Sequence, residues 1–341
     1  LTALSLVGGT GIVTSITFLW LSAPDLALTQ LMVETVTTVL ILLGLRWLPA
    51  RIAPRELNIQ VPRSAWVRRS RDMAIAVAAG LAMCVVSYAV LMSPASPGGI
   101  SDFFLTRALP EGGGSNVVNV LLVDFRSFDT LGEIAVLAIV ALTVYALLRR
   151  FRPAPESVPI PAQQANSVDP AAGQTPIQQV EGGYLLVPSV YLRLLFPIML
   201  VIAAYFFLRG HNLPGGGFVA GLTFAVAIIV QYMLAGTAWV ETHLRLQSNR
   251  WIAFGLIAAC LTGLGAWALG YPFLTSHTAH VTLPLLGEIH LPSAFVFDLG
   301  VFAVVVGATI LILVALAHQS VRSHRLPAGS VPPRATGKEA K

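Results

Sequence analysis

A chain of 341 residues with 55% hydrophobic and only 11% charged side chains is not an ordinary water-soluble domain, in which about a quarter of residues are charged. Its mean hydropathy of +0.76 is that of an integral membrane protein, and the arginines behind the formal net charge of +5 follow membrane topology, so no nucleic-acid partner is needed to explain them. Cys84 and Cys260 each lie in an apolar run, which argues against a disulfide framework or a thiolate metal site.

The sequence opens at Leu1 inside an apolar segment, with no basic n-region or small-residue cleavage site, and reads as a piece whose upstream part is missing. Runs of about 20 apolar residues, the length that crosses a ~30 Å hydrocarbon core, occur at 2–21, 25–48, 72–92, 129–149, 189–209, 215–236, 251–271 and 293–318. The pattern lacks the repeated ten-residue alternation of a transmembrane barrel. The expected fold is an all-α integral membrane protein of about eight transmembrane helices in two four-helix modules.

Glu34 sits near mid-membrane in the second run, SAPDLALTQLMVETVTTVLILLGL. A carboxylate at that depth is costly unless it is paired, protonated or hydrated, so it points to ion or proton movement. Steps of about 100° per residue put Gln30, Glu34, Thr37 and Thr38 within one helix face and turn Asp25 elsewhere. Interhelical hydrogen bonding explains Gln30 and the threonines equally well. Asp25 follows Pro24 in Ser22-x-x-Asp25, a helix-start pattern in which an acid caps and complements the dipole.

The next loop carries Arg46, Arg51, Arg55, Arg63, Arg68, Arg69 and Arg71, which assigns it to the cytoplasm by the positive-inside rule. Arg149, Arg150, Arg152, Arg193, Arg245, Arg250, Arg322, Arg325, Arg334 and Lys338 agree, and the opposite side holds only Arg107, Arg126 and Arg209. Both termini are expected in the cytoplasm, in a bacterial plasma membrane.

Residues 93–128 read as a long outer connection punctuated by Pro94, Pro97, Gly98, Gly99 and Gly112 to Gly114. Its end, NVLLVDFRSFDTLGEIAVL, crowds Asp124, Arg126, Asp129 and Glu133. Asp129 and Glu133 would share a helix face, where like charges can hold a proton. Equally, Thr130-x-x-Glu133 fits a capping box and Arg126 can neutralise Asp124.

Residues 151–187 and 319–341 are rich in small and polar residues and poor in aromatics, and read as a disordered linker and tail. They divide the chain into helix pairs at 1–60 and 61–150 and a second membrane domain at 188–318. In that domain GHNLPGGGFVAGLTF is too short for anything but a tight turn between neighbouring helices. Pro214, Gly215, Gly216 and Gly217 permit unusual backbone geometry, and Gly217-x-x-x-Gly221 offers a small-residue packing face. A phosphate cradle is disfavoured, since no strand precedes and no Lys-Ser/Thr follows.

His211 reads as a snorkelling interfacial group, and Glu241, His243 and Arg245 as an interfacial collar. Asp298, the one acid inside the second domain's predicted spans, could face Glu34 or Glu133 across a bundle. HTAHVTLPLLGEIHL alternates about Gly287 and suggests a small hairpin. Its His277, His280, Glu288 and His290 have a spacing a metal can use, but a solvated polar loop explains them as well, and no metal is assigned. With no catalytic triad, nucleotide motif, haem or iron–sulfur spacing visible, neither an enzyme nor a cofactor is expected.

SAPDLALTQLMVETVTTVL and VNVLLVDFRSFDTLGEIAVL resemble the C-terminal part of the large A subunit of the Mrp-type multisubunit Na⁺/H⁺ antiporters, in regions related to small membrane subunits of energy-converting hydrogenases. GHNLPGGGFVAGLTFAVAIIVQYMLAG resembles the B subunit of the same family. The resemblance implies one membrane component of a Na⁺/H⁺ antiporter, whose partners are the other Mrp-type subunits, the lipid bilayer, Na⁺ and H⁺. It implies Glu34 first and Asp25 second as ion-path residues, with Asp124, Asp129 and Glu133 as outer-side candidates, Thr37 and Thr38 as oxygen donors beside the carboxylate, and Asp298 in the second domain. His211, Pro214, Gly215, Gly216, Gly217 and Phe218 would form a structural or coupling loop. Lys occurs only at Lys338 and Lys341, so the intramembrane lysines of the family's large antiporter-like domain are absent from this piece, which is not expected to transport alone. A non-transporting scaffold, or a membrane component of a complex I-like or hydrogenase complex, is the alternative.

Overall fold

A computed structural model of the chain describes residues 2–45, 63–93, 99–150, 186–244, 246–283 and 287–323. Apart from a few helical residues at their margins, the expected linker at 151–187 and tail at 319–341 lie outside the described residues, as does most of the arginine-rich loop after the second span. The chain divides into two units, one of residues 1–48 with 105–341 and one of residues 49–104. Eight described helices are long and apolar enough to cross a membrane.

The first unit opens with α1 (Thr2–Trp20) and α2 (Pro24–Leu45). Ser22 turns the chain between them at φ 59°, and the Ser15 hydroxyl on α1 donates to the Ala27 carbonyl on α2 at 2.8 Å. After α4 (Ile100–Gly112) come a short turn α5 (Val117–Val120), a π-helical turn at Leu121–Phe125 and α6 (Ser127–Arg150). The connection expected to be a loop at 93–128 is thus mostly helical. ISDFFLTRALPEG places Asp102 in the first turn of α4, where an acid favours the helix dipole, and Pro110 near its end. Gly113, at φ 71°, then stops the helix as a glycine C-cap does.

The second half of the chain adds α7 (Leu186–Arg209), α8 (Gly217–Leu244), α9 (Ser248–Ala268) and α10 (Ala294–Ser323). Between α9 and α10 the expected hairpin forms, with β1 (Thr278–Leu283) antiparallel to β2 (Gly287–Pro292) and His280 opposite His290 in register. Helix α10 is the most buried of the spans. Its Phe297, Val304 and Val305 are fully buried and join a core with Val36 of α2, Ile134 of α6, Ile229 of α8 and Ile252 of α9, while Ile310 packs with Ile228 of α8 in a second, smaller cluster. Helices from both halves of the sequence therefore share one unit, with α6 against α10 and α2 against α8.

Close approach of backbones, which supplies van der Waals packing where lipid offers no hydrophobic gradient, sets the tightest of these contacts. A Cβ on Gly255 would lie 2.5 Å from the Gly300 carbonyl, and one on Gly307 2.8 Å from Ile252. The Gly217-x-x-x-Gly221 face behaves as expected: side chains there would strike the Asp298 carbonyl and Val305 of α10.

In the second unit, α3 (Arg63–Leu91) starts nine residues ahead of the apolar run at 72–92 and carries Arg63, Arg68, Arg69 and Arg71 within the helix. Arg71 pairs with Asp72 at 2.8 Å. Its apolar side chains, among them Ile75, Leu81 and Val85, are exposed, as are Cys84 and, on α9, Cys260.

Candidate functional site

Three consecutive glycines close the turn from α7 into α8, and their amides are shared among three different parts of the chain. The Gly215 amide donates to Asp25 Oδ1 at 2.8 Å, the Gly216 amide to the Phe206 carbonyl at 2.9 Å, and the Gly217 amide to Asp298 Oδ2 at 2.8 Å. Glycine is required at each place. Gly216 sits at φ +96°, and added Cβ atoms would meet the Phe206 carbonyl at 2.4 Å (Gly215), Asn119 Nδ2 at 2.7 Å (Gly216) and the Asp298 carbonyl at 2.2 Å (Gly217). Asp298 thus faces the first amide of α8, where the helix dipole and free N–H groups favour a negative charge. The bond it accepts comes from this loop and not from the neighbourhood of Glu34 or Glu133.

Asp25 is 8% exposed. It starts α2 as expected, but the bond it accepts comes from Gly215, 190 residues away, so capping alone does not describe it. The Asn116 amide and the Arg209 guanidinium lie beside it.

The polar clasp around the loop joins residues from two distant stretches of the sequence, 112–119 and 209–214. The Asn116 side chain accepts from the Asn119 amide to cap α5 and donates through Nδ2 to the Gly210 and Leu213 carbonyls at 2.9 and 3.1 Å. Ser115 donates its hydroxyl to the Asn212 carbonyl at 3.0 Å. His211 is clasped, not snorkelling: Nε2 lies 2.9 Å from the Gly112 carbonyl and Nδ1 3.3 Å from Asn119 Oδ1. Both ring nitrogens face oxygen acceptors, so a neutral ring satisfies one of them and an imidazolium both. The signal in the sequence was the spacing Asn116-x-x-Asn119 inside an apolar run, next to a glycine cluster that reads as a plain loop. Pro214 accepts from Arg209 Nε through its carbonyl at 2.7 Å, and Phe218 packs against the main core.

Asp124, in the π-helical turn, accepts from the Ser276 amide at 2.6 Å. Burial raises its carboxyl above the usual 3.8, an effect opposed by that amide and by nearby His211 and reinforced by Glu111. Arg126 pairs with Asp129 and not with Asp124. Because α6 begins at Ser127, Thr130 lies inside the first turns and forms no capping box; its hydroxyl donates to the Leu122 carbonyl at 2.7 Å. Asp129 and Glu133 are both exposed.

Glu34 occupies a separate place. Its side chain fills the notch left by the glycines of α1: a Cβ on Gly11 would lie 2.2 Å from Oε2, and one on Gly8 3.7 Å from Oε1. The Thr38 hydroxyl donates to Glu34 Oε1 at 3.3 Å. Thr37 is exposed and Gln30 half-buried, so of the expected polar face Thr38 is the residue joined to the carboxylate. In the hairpin region His277 packs edge-on against Tyr271 with ring centroids 4.0 Å apart. No metal-ligating group of three is found among the described residues, and the side chains of His280, Glu288 and His290 lie outside them.

Buried acids on membrane-length helices, tied by a glycine loop, define a polytopic membrane protein. Models of three families match along the chain: MbhD, the D subunit of MBH, at residues 1–50; MbhE, the E subunit of MBH, at 67–165; and MnhB, a "Domain related to MnhB subunit of Na+/H+ antiporter", at 187–311. The probable K⁺/H⁺ antiporter A/B subunit of Rhizobium meliloti (strain 1021) is 54% identical over 336 residues, which are 95% of this chain and 33% of that protein. The Na⁺/H⁺ antiporter B subunit of Alkalihalophilus pseudofirmus is 36% identical over 124 residues, 36% of this chain and 86% of that protein. The Mrp complex from Dietzia sp. DQ12-45-1b contains a similar chain, with TM-score 0.73 and 31% identity over 92% of this chain and 32% of that one. The chain belongs to the Mrp-type multisubunit cation/proton antiporter family, with regions of the A and B types in one polypeptide. It spans about a third of the A/B relative.

Proposed function

We propose that this chain is a membrane component of a monovalent cation/proton antiporter, and that Asp298, Asp25 and Glu34 lie on or beside its ion path. Asp298 carries the reading. It is 8% exposed on a helix of membrane-crossing length, and its recorded partner is a backbone amide and no basic side chain. An acid so placed is costly in the membrane unless a proton, a cation or water completes it, which is the mark of an ion or proton path. Thr38 supplies a hydroxyl beside Glu34, and Asp124 adds an acid bonded to the stretch before the hairpin; Asp129, Glu133 and Thr37 are exposed. The A/B relative is named for K⁺ and the B relative for Na⁺, so the cargo is assigned to the class of monovalent cations exchanged for H⁺, and the partners are the remaining antiporter subunits within the lipid bilayer.

The bond from Gly215 to Asp25 favours a second role for the same loop. It ties the A-like part to the B-like part, so the loop also couples the two. The arginine distribution supports cytoplasmic termini in a plasma membrane; cysteines placed at Asn58 and Gln179 should react with impermeant reagents from the cytoplasmic side alone. The ion-path role is tested by Asp298→Asn in the assembled complex, read as cation-dependent ΔpH in vesicles. Loss of exchange with intact assembly is expected, and near-normal exchange overturns the role.

A further inference from the structure

At the opposite end of α8 from the glycine loop lies a cavity of about 630 Å³, bounded by α6, α8, α9 and α10. The helix from Gly217 to Glu241 rises about 36 Å, close to a membrane thickness. Glu241, which the sequence reads as part of an interfacial collar, lies within α8 and lines this cavity. His318 of α10 approaches it, with Nε2 2.8 Å from Oε1, and Tyr232 stands beside the same carboxylate. The imidazole contact is close enough for an ion pair but outside hydrogen-bond geometry, so the buried Oε1 has no hydrogen bond of its own. A buried carboxylate oxygen left without one is costly unless a proton, water or cation completes it.

Every wall contributes a group able to complete it. Tyr145 comes from α6, Tyr232 from α8, Ser248 and Arg250 from α9, and His318 from α10. Gln319, 1% exposed, donates to the Leu148 carbonyl and fixes α10 against α6 beside them.

We propose that Glu241 and His318 form a proton-exchange station at this end of the molecule, where a proton delivered through the cavity resides on the imidazole–carboxylate pair and leaves when a monovalent cation takes its place at the carboxylate. No bond other than the N–H or O–H is made or broken. Charge balances, since one proton leaves as one cation arrives. The inference rests on the antiporter reading above and adds to it a second site, remote from Asp298.

The test uses the assembled complex in vesicles, with exchange rate measured against pH at saturating Na⁺ or K⁺. Glu241→Gln and His318→Asn are each expected to slow exchange by roughly tenfold or more and to flatten its pH profile, with assembly retained. An unchanged rate and profile in both assembled variants overturns the station. Exchange lost in Asp298→Asn but normal in these two refutes this inference alone, whereas normal exchange in all three refutes the antiporter reading of Asp298 as well. Should Glu241→Gln fail to assemble, His318→Asn and Tyr232→Phe, which keep the carboxylate, decide the matter: a flattened profile supports the station, and an unaltered one in both overturns it.

Discussion

The Gly217 amide donates to the Asp298 carboxylate at 2.8 Å, joining the first residue of α8 to the second turn of α10. One bond therefore serves two ends: it satisfies an orphan helix donor and holds an acid at a fixed place in the membrane. Two substitutions separate these ends. Asp298→Asn keeps an oxygen for the amide, so assembly and thermal stability should hold within a degree or two while cation-dependent ΔpH falls. Asp298→Ala leaves a buried N–H unsatisfied, at a cost of about 1–3 kcal/mol. Its melting temperature in detergent should drop clearly below that of the Asn variant.

The glycines of the loop should differ in tolerance according to what a Cβ would touch. Gly217→Ala places a methyl 2.2 Å from the Asp298 backbone carbonyl, which cannot yield as a side-chain end can, and Gly216→Ala forces φ +96° on an L residue. Left-handed backbone costs about 1–2 kcal/mol and overpacking about 1–3 kcal/mol. Both variants should melt lower or assemble poorly, with Gly217→Ala the worse. Gly9→Ala, where nothing lies within 4 Å of the new methyl, should melt like the parent.

Much of this was legible in the sequence, for reasons that differ from element to element. Long apolar runs have one physical solution in lipid, a helix, so the spans and the hairpin about Gly287 were read correctly. Residues 93–128 were not, because the helix signals of α4, Asp102 in its first turn and Gly113 at its end, stand among prolines and glycines that read as loop. Asp25 and Asp298 were visible as costly acids, yet their shared target was hidden: nothing in local spacing brings residue 25 to residue 215. Asn116 and Asn119 were missed for a related reason. Neutral amides carry no penalty large enough to stand out, and their partners, two carbonyls for Asn116 and the His211 ring for Asn119, lie nearly a hundred positions away.

Asn116 gives the loop its shape, and its two replacements should rank in a way that size alone does not predict. Asn116→Ala removes donors to the Gly210 and Leu213 carbonyls and the cap on α5, each bond contributing about 1 kcal/mol. Asn116→Asp preserves shape and the cap but turns an oxygen towards those carbonyls, next to Asp25. It should be the more damaging of the two at neutral pH and recover as pH falls, in thermal melts of the purified complex.

Gly11 and Glu34 make the sharpest case on the A-like side. The carboxylate fills the space a Gly11 side chain would need, with Oε2, Cδ and Cγ all within 2.7 Å of the hypothetical Cβ. Gly11→Ala must therefore drive Glu34 out of its notch and away from the Thr38 hydroxyl, while α1 itself, helical and largely exposed, gains helix propensity of about 1 kcal/mol. The variant should be expressed and assembled normally and still lose exchange to the same degree as Glu34→Gln. Thr38→Val, which removes the hydroxyl and keeps the volume, should give a smaller loss in the same vesicle assay. If Gly11→Ala instead exchanges cations at the parent rate, the position of Glu34 against α1 has no bearing on transport.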